Sequence, residues 1–460
     1  MLVNRNNLVH LPTDFGSLLR VAIPISMGTM VQFIVVLTDN FFLSRAGQEA
    51  INGAGNAGLV YLTLEMVAIG SAAAFQILIA RRLGEGHSHE ATLAFRSGFL
   101  FHAMLGMVLL WVTAGLNQGF LGSLIADDRT RTIFEPFLST RMWGFLPLTL
   151  VLMLNAYFTG SAKTWPILVT TGFMAGLNVV LDAMWVEGWF GATPRGPLGA
   201  AQASLASEWL GLGIGLLLTW LISPQLRHSR RIWQLPDWKK WWILARPLMG
   251  QLLMTIATWT TFFFLVEKVG SLELKVSHIA RNLFMLAFVV SQGMSQTTRT
   301  YVSGLLGGQR DAELRETLKR IVILNVAGIL LLCHGFVLYP ELLAGIFFDS
   351  EAGLEAMHKT LYVIFSAVCL YAFTGIALAT LQGAGATVQA FRVELLAVGI
   401  YIVVSICLTL VWPQPVWVIW RVEWVYFSLI GLGSIWYLKQ GTWRLALAAN
   451  QSEQNPIMKS

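Results

Sequence analysis

Long apolar runs separated by short polar punctuation recur from residue 18 to residue 437. A helix of about 20 apolar residues crosses a bilayer. The pattern predicts twelve such segments, at 18–43, 52–79, 97–118, 136–159, 164–187, 197–222, 243–266, 275–304, 319–338, 359–383, 388–411 and 415–437. Roughly 38 residues separate successive segments on average, so most connections are short. The longest polar insertion, 223–242, holds Arg227, Arg230, Arg231, Lys239 and Lys240 and falls at mid-chain. The expected fold class is an all-α polytopic membrane protein. Its expected domains are an N-lobe of six helices at 1–222, a cytoplasmic linker at 223–242, a C-lobe of six helices at 243–437 and a cytoplasmic tail at 438–460.

The two halves repeat. Shifting the chain by 223 residues, with no gap, superposes Pro24 on Pro247, Thr38 on Thr261, Phe41 on Phe264 and Gly47 on Gly270. The same shift pairs Gly70 with Gly293, Leu83-Gly84 with Leu306-Gly307 and Gly160 with Gly383. Single glycine matches are cheap, but one offset holding across four helices is not. An even number of spans separates the halves, so the lobes run in parallel, an arrangement common in secondary transporters.

Composition sharpens the class. Of 460 residues, 55% are hydrophobic and 12% charged, against about 25% charged in a soluble domain. That excludes disorder, a coiled coil and an ordinary cytosolic enzyme. Eighteen Trp and 27 Phe suit a chain that meets a membrane interface. The net charge of +6 is spread through short loops rather than gathered in a patch, so no nucleic-acid partner is expected. Twenty of the 31 Lys and Arg fall on the side of both termini and eight on the other, with Arg281, Arg299 and Arg421 inside spans. Both termini are therefore expected in the cytoplasm. Cys333, Cys369 and Cys407 sit singly in apolar runs and read as small core residues. The first 20 residues are polar, with Arg5, His10, Asp14 and Arg20, and do not read as a cleavable signal.

Ionisable groups inside spans carry the functional signal, because each costs about 2.5–3.5 kcal/mol or more in hydrocarbon. The candidates are Asp39, Glu65, Asp182 and Glu208, with Gln32, Asn155, Asn178 and Ser204 as polar neighbours. At 1.5 Å per residue from the basic boundary of each helix, Asp39, Asp182 and Glu208 all lie at roughly 28 Å, and Glu65 at roughly 24 Å. Asn178 and Asp182 share a helical face, as do Ser204 and Glu208. Asn155 falls at roughly 12 Å and joins the group only if the fourth helix bends. The repeat is an internal control: at +223 Asp39 becomes Phe262, Glu65 Phe288, Asn155 Leu378, Asn178 Tyr401, Asp182 Ser405 and Glu208 Gly431. The second lobe is thus expected to fold without buried acids at these places, which assigns the first-lobe acids to function.

Two carboxyls in one poorly hydrated place disfavour double ionisation, so one can hold a proton near neutral pH. A bound cation, Na⁺ held by Asp39, Asn178 and Asp182, would serve the same end with both ionised. Either ion can bias a bistable helix arrangement. Arg281, Arg421 and Glu423 near outer helix ends read as snorkelling or paired groups. Gln251, His278 and Gln292 read as packing polar groups. No P-loop, HExxH, paired metal motif or GxSxG is present, so neither an enzyme nor an ATP-driven pump is expected.

Pro24 followed by Asp39-Asn-Phe-Phe, Gly47 and the segment Ala80-Arg-Arg-Leu-Gly84-Glu-Gly86 resemble the multidrug and toxic compound extrusion (MATE) family. Asn178-Val-Val-Leu-Asp182 and Gly199-Ala-Ala-Gln-Ala-Ser204-Leu-Ala-Ser-Glu208 resemble its DNA-damage-inducible protein F-like (DinF-like) branch. The resemblance covers essentially the whole chain. It implies twelve helices in a V-shaped pair of lobes in a bacterial-type inner membrane, a monomer, and efflux of amphipathic, often cationic drugs by H⁺ or Na⁺ antiport without a cofactor. It also implies a cation-linked site at Asp39, Asn178 and Asp182, with Asn155 and Ser204 alongside and Glu208, Glu65 and Gln32 as secondary candidates. Ser204 stands where that pattern often has Thr. Related branches carry acids in the seventh and tenth helices, where this chain has Gln251, Thr255 and Tyr371. The alternative reading, a lipid-linked oligosaccharide flippase of the related superfamily, calls for a basic cavity, and few spans here hold Arg or Lys.

Overall fold

A computed structural model describes residues 11–125, 127–224, 226 and 238–441. Most of the expected linker 223–242 and of the tail 438–460 lies outside the described residues. The described chain is helical throughout: α1 Phe15–Arg45, α2 Gln48–Gly84, α3 Ser88–Leu116, α4 Asp128–Gly160, α5 Trp165–Trp185 and α6 Pro197–Ile222 in the first half. The second half supplies α7 Lys239–Glu267, α8 Ser271–Gly307, α9 Leu314–Cys333, α10 Glu351–Gly383, α11 Thr387–Val411 and α12 Val416–Gln440. Eleven of the twelve are long and apolar enough to cross a membrane. The exception is α9, expected at 319–338. Its first turns carry Arg315, Lys319 and Arg320, and the helix ends at Cys333 before the short helices Gly335–Leu338 and Pro340–Gly345. Its uncharged part is only about 20 Å long, against a hydrocarbon core of about 30 Å.

Large apolar side chains face outward along the helices, among them Trp111, Leu331 and Leu432. Continuous exposed hydrophobic surface is unfavourable in water and favourable against lipid. Local signals set the helix ends. Asp127 caps α4 by accepting from Thr130 N at 2.8 Å, and the Ser350 hydroxyl caps α10 by accepting from Gly353 N at 3.3 Å. Between α1 and α2, Gly47 adopts φ +115°, open to glycine at little cost.

The chain forms two compact units. One comprises Met27–Ile79 and His87–Trp238; the other comprises the described parts of Met1–Ser26, Ala80–Gly86 and Lys239–Ser460. In the latter, the start of the chain is tied to the C-terminal helices through backbone carbonyls: Arg310 donates to Leu11 O at 3.1 Å, Tyr301 to Pro12 O at 3.1 Å and Arg320 to Thr13 O at 2.9 Å. The end of α2 lies backbone to backbone on α8. A Cβ on Gly84 would stand 2.1 Å from Gly304 O, and one on Gly307 2.4 Å from Arg81 O.

Candidate functional site

In the first unit, α1, α2, α4, α5 and α6 converge on one polar cluster. On α5, Asn178 and Asp182 sit one turn apart on the buried face and are 1% and 0% exposed. The Asp39 carboxyl of α1 lies within hydrogen-bonding reach of both. On α6, the Ser204 hydroxyl accepts from Asn178 Nδ2 at 3.4 Å, which holds the amide nitrogen toward α6.

The accounting of donors leaves a conspicuous gap. Asp39 Oδ1, both carboxyl oxygens of Asp182 and Asn178 Oδ1 are buried without a hydrogen-bond donor among the described residues. Buried acceptors without donors cost about 1–3 kcal/mol each, more when charged. Four in one place make the site rich in acceptors and poor in donors. A proton on either carboxyl would turn the Asp39–Asp182 contact into a hydrogen bond.

One turn beyond Ser204, Glu208 forms an ion pair with Arg141 of α4, Nη2 to Oε1 at 2.9 Å. The Tyr61 hydroxyl of α2 donates to the other Glu208 oxygen at 3.5 Å. The Arg141 guanidinium covers the Tyr61 ring at 4.1 Å from its centroid, and Phe145 stacks on that ring at 4.3 Å. Glu65, one turn after Tyr61, lies within electrostatic reach of Glu208 and Arg141, and Arg141 within reach of Asp39. A short 3₁₀ turn, Met142–Gly144, interrupts α4 beside this pair. A Cβ on Gly144 would stand 2.2 Å from Glu208 Oε2 and 2.8 Å from the Tyr61 hydroxyl, so a side chain there would crowd the carboxyl that pairs with Arg141.

The structure therefore brings Asp39, Asn178, Asp182 and Ser204 together, with Glu208 and Glu65 beside them. It does not bring in Asn155, which follows Arg141 by 14 residues on α4, about 21 Å along a helix. Gln32, seven residues before Asp39, is exposed. Arg141 is the member that sequence reasoning missed. It falls inside the predicted span 136–159, and treating it as loop charge hid an arginine among carboxyls.

The second unit corrects one expectation. It too buries acids: Glu394 of α11 and Glu423 of α12 are 4% and 3% exposed. Of the two readings of Glu423, snorkelling or paired, the second is the one found. The Tyr401 hydroxyl donates to its Oε1 at 3.0 Å, and the Tyr426 hydroxyl donates to Glu394. Neither acid stands at a repeat equivalent of a first-unit acid, since 223 residues earlier lie Thr171 and Ala200. The contrast between the units is thus one of satisfaction rather than presence. The second-unit glutamates each have a phenolic donor, whereas Asp182 has none. Arg421 is exposed and lies over the Trp424 ring at 5.5 Å, and Arg281 lies over Phe263 at 5.1 Å.

The family model described as MatE matches residues 24–184 and again 247–407, with starts 223 residues apart. The chain is 24% identical over 351 residues to the probable multidrug resistance protein NorM of Rhizobium meliloti, covering 74% of this chain and 73% of that one. It superposes on a MATE solved in complex with MaD3S with a TM-score of 0.83 at 17% identity, covering 98% and 100% of the two chains. An outward-facing multidrug resistance MATE family transporter of the MOP superfamily gives a TM-score of 0.80 at 18% identity, covering 95% and 96%. With its polar cluster set in a helical fold shared by these proteins, and the family model matching both halves in register, the chain belongs to the MatE family.

Proposed function

We propose that this protein is a cation-coupled antiporter that exports amphipathic, often cationic compounds across a bacterial-type inner membrane by alternating access. On this reading it acts as a monomer of the DinF-like branch with both termini cytoplasmic. Asp39, Asp182 and Asn178 form the coupling site, with Ser204 orienting Asn178. The observation that carries the reading is the set of four buried oxygens without a donor. The named relatives, which are multidrug resistance proteins, support the class of cargo.

Ion occupancy would act on α1. With H⁺ shared between the carboxyls, or Na⁺ coordinated by them and Asn178 Oδ1, Asp39 holds α1 against α5. Without the ion, two close carboxylates repel, and α1 separates or bends. Pro24 lies within α1, and a proline inside a helix lacks one hydrogen bond and lowers the cost of bending. The transported cation thereby biases two helix arrangements.

The test is transport in proteoliposomes with a pH gradient and a sodium gradient imposed separately, for wild type and Asp39→Asn. Substrate movement driven by one gradient and absent in Asp39→Asn is the expected result. Equal transport by the variant removes the Asp39–Asp182 site from the coupling.

A further inference from the structure

The second unit holds a polar chain of the opposite sign. Arg299 of α8 can only donate hydrogen bonds, and its Nη1 donates to Gln382 Oε1 of α10 at 3.1 Å. That fixes the amide: Gln382 Nε2 turns away and donates to Gln251 Oε1 of α7 at 3.1 Å. The Gln251 oxygen is then used, and its Nε2 is left over. Gln251 is 5% exposed, and its Nε2, like Arg299 Nε, is buried without an acceptor among the described residues. The chain starts on a cation and ends on an unanswered N–H.

No Asp or Glu among the described residues forms an ion pair with Arg299. Tyr371 of α10 lies beside the guanidinium and beside Ser295, one turn before Arg299. Glu394 also reaches Tyr371 but is bound by Tyr426. A membrane-embedded arginine without a carboxylate is costly, and orphaned donors add to the cost. The Tyr371 ring continues into an aromatic wall, with Phe288 at 4.4 Å and Phe427 at 4.8 Å between centroids. Arg299 as a residue is partly buried, and its Nε is fully so.

We infer that Arg299, Gln382 and Gln251 form a binding site for an oxyanion, a carboxylate or phosphate-type group, carried on an aromatic or apolar body. The guanidinium supplies charge, Gln251 Nε2 a second donor and the aromatic wall the apolar contact. Treating the ligand as cargo rests on the exporter reading, and extends that cargo to anionic and zwitterionic amphiphiles. Binding itself does not depend on that reading.

The experiment is calorimetric titration of the full-length protein in neutral detergent with 2-naphthoate and with 2-naphthamide, its uncharged counterpart. Wild type is expected to bind naphthoate at least about tenfold more tightly, as charge-assisted hydrogen bonds imply. Arg299→Gln and Gln251→Glu erase that preference, and an unchanged thermal unfolding midpoint in the same detergent reports a folded protein. Arg299→Lys keeps the charge, loses the planar fork and retains part of the preference. Equal affinity for the two probes in wild type, or an unchanged preference in Arg299→Gln, overturns the site. Displacement of naphthoate by phosphatidylglycerol but not phosphatidylcholine identifies a lipid headgroup as the oxyanion source; no displacement by either identifies a free amphiphile. Asp39→Asn separates the two readings. It is expected to lose transport and keep the naphthoate preference. Transport that survives Asp39→Asn sinks the coupling site alone, and loss of preference in Arg299→Gln is read without any gradient.

Discussion

Arg141 and Glu208 form a buried ion pair at 2.9 Å beside Asp39 and Asp182, which form no ion pair among the described residues. Breaking a buried pair by removing one partner leaves an uncompensated charge, at a cost of about 3–5 kcal/mol. Glu208→Gln is therefore expected to lower the thermal unfolding midpoint in detergent more than the double variant Arg141→Gln/Glu208→Gln. A double variant as unstable as the single one would mean that the pair contributes packing rather than charge balance.

Glycine at position 144 is predicted to be irreplaceable. Gly144→Ala places a methyl carbon 2.2 Å from Glu208 Oε2 and 2.8 Å from the Tyr61 hydroxyl. Overpacking of this kind costs about 1–3 kcal/mol. The expected outcome is a reduced unfolding midpoint together with weaker drug efflux, because α2, α4 and α6 meet there. Full stability in the alanine variant would show that the pair can open without cost.

The buried acids of the two units are expected to respond differently to neutralisation. On the proposed coupling, Asp182→Asn, like Asp39→Asn, should reduce efflux about tenfold or more, since an amide cannot exchange a proton there. Glu423→Gln keeps an acceptor for the Tyr401 hydroxyl and should retain efflux, with a stability loss of about 1 kcal/mol. Efflux assays and thermal unfolding on the same preparations decide this. If Glu423→Gln abolishes efflux in a stable protein, the second unit takes part in coupling.

The contact of α2 with α8 gives a test of packing alone. Gly84→Val would drive a branched side chain into the Gly304 carbonyl, 2.1 Å from where its Cβ begins. The obstacle is backbone, which cannot swing aside. The substitution should cost several kcal/mol and reduce the yield of folded protein, measured as monodisperse material after extraction. Gly58→Val on the same helix, whose Cβ would meet nothing within 4 Å, should be tolerated.

Hydropathy and length were enough to place eleven of the twelve helices, because a bilayer demands that every backbone group in a span be satisfied locally. The 223-residue repeat was equally visible, since it lies in the order of residues alone. Asn178 and Asp182 could be put on one face from their spacing, and Asp39 in their layer from its distance to Arg20. Position across helices is what single-helix patterns leave out. Arg141 was visible as a charge, but not as the partner of Glu208. Glu394 and Glu423 were visible as acids, but not as acids held by Tyr426 and Tyr401. The break of α9 at His334-Gly335 was missed because hydropathy continues through it.

By itself, then, the order of residues determined a chain of long apolar helices and their pairing into two similar halves. Those properties follow from local backbone periodicity and from the thickness of hydrocarbon. Which acid meets a donor, which meets an arginine and which meets only another acid was decided by how each helix is rotated against its neighbours. That rotation is fixed by side-chain packing among residues more than a hundred positions apart, such as Tyr61 with Glu208 and Gln251 with Gln382. No periodicity within a single helix carries it.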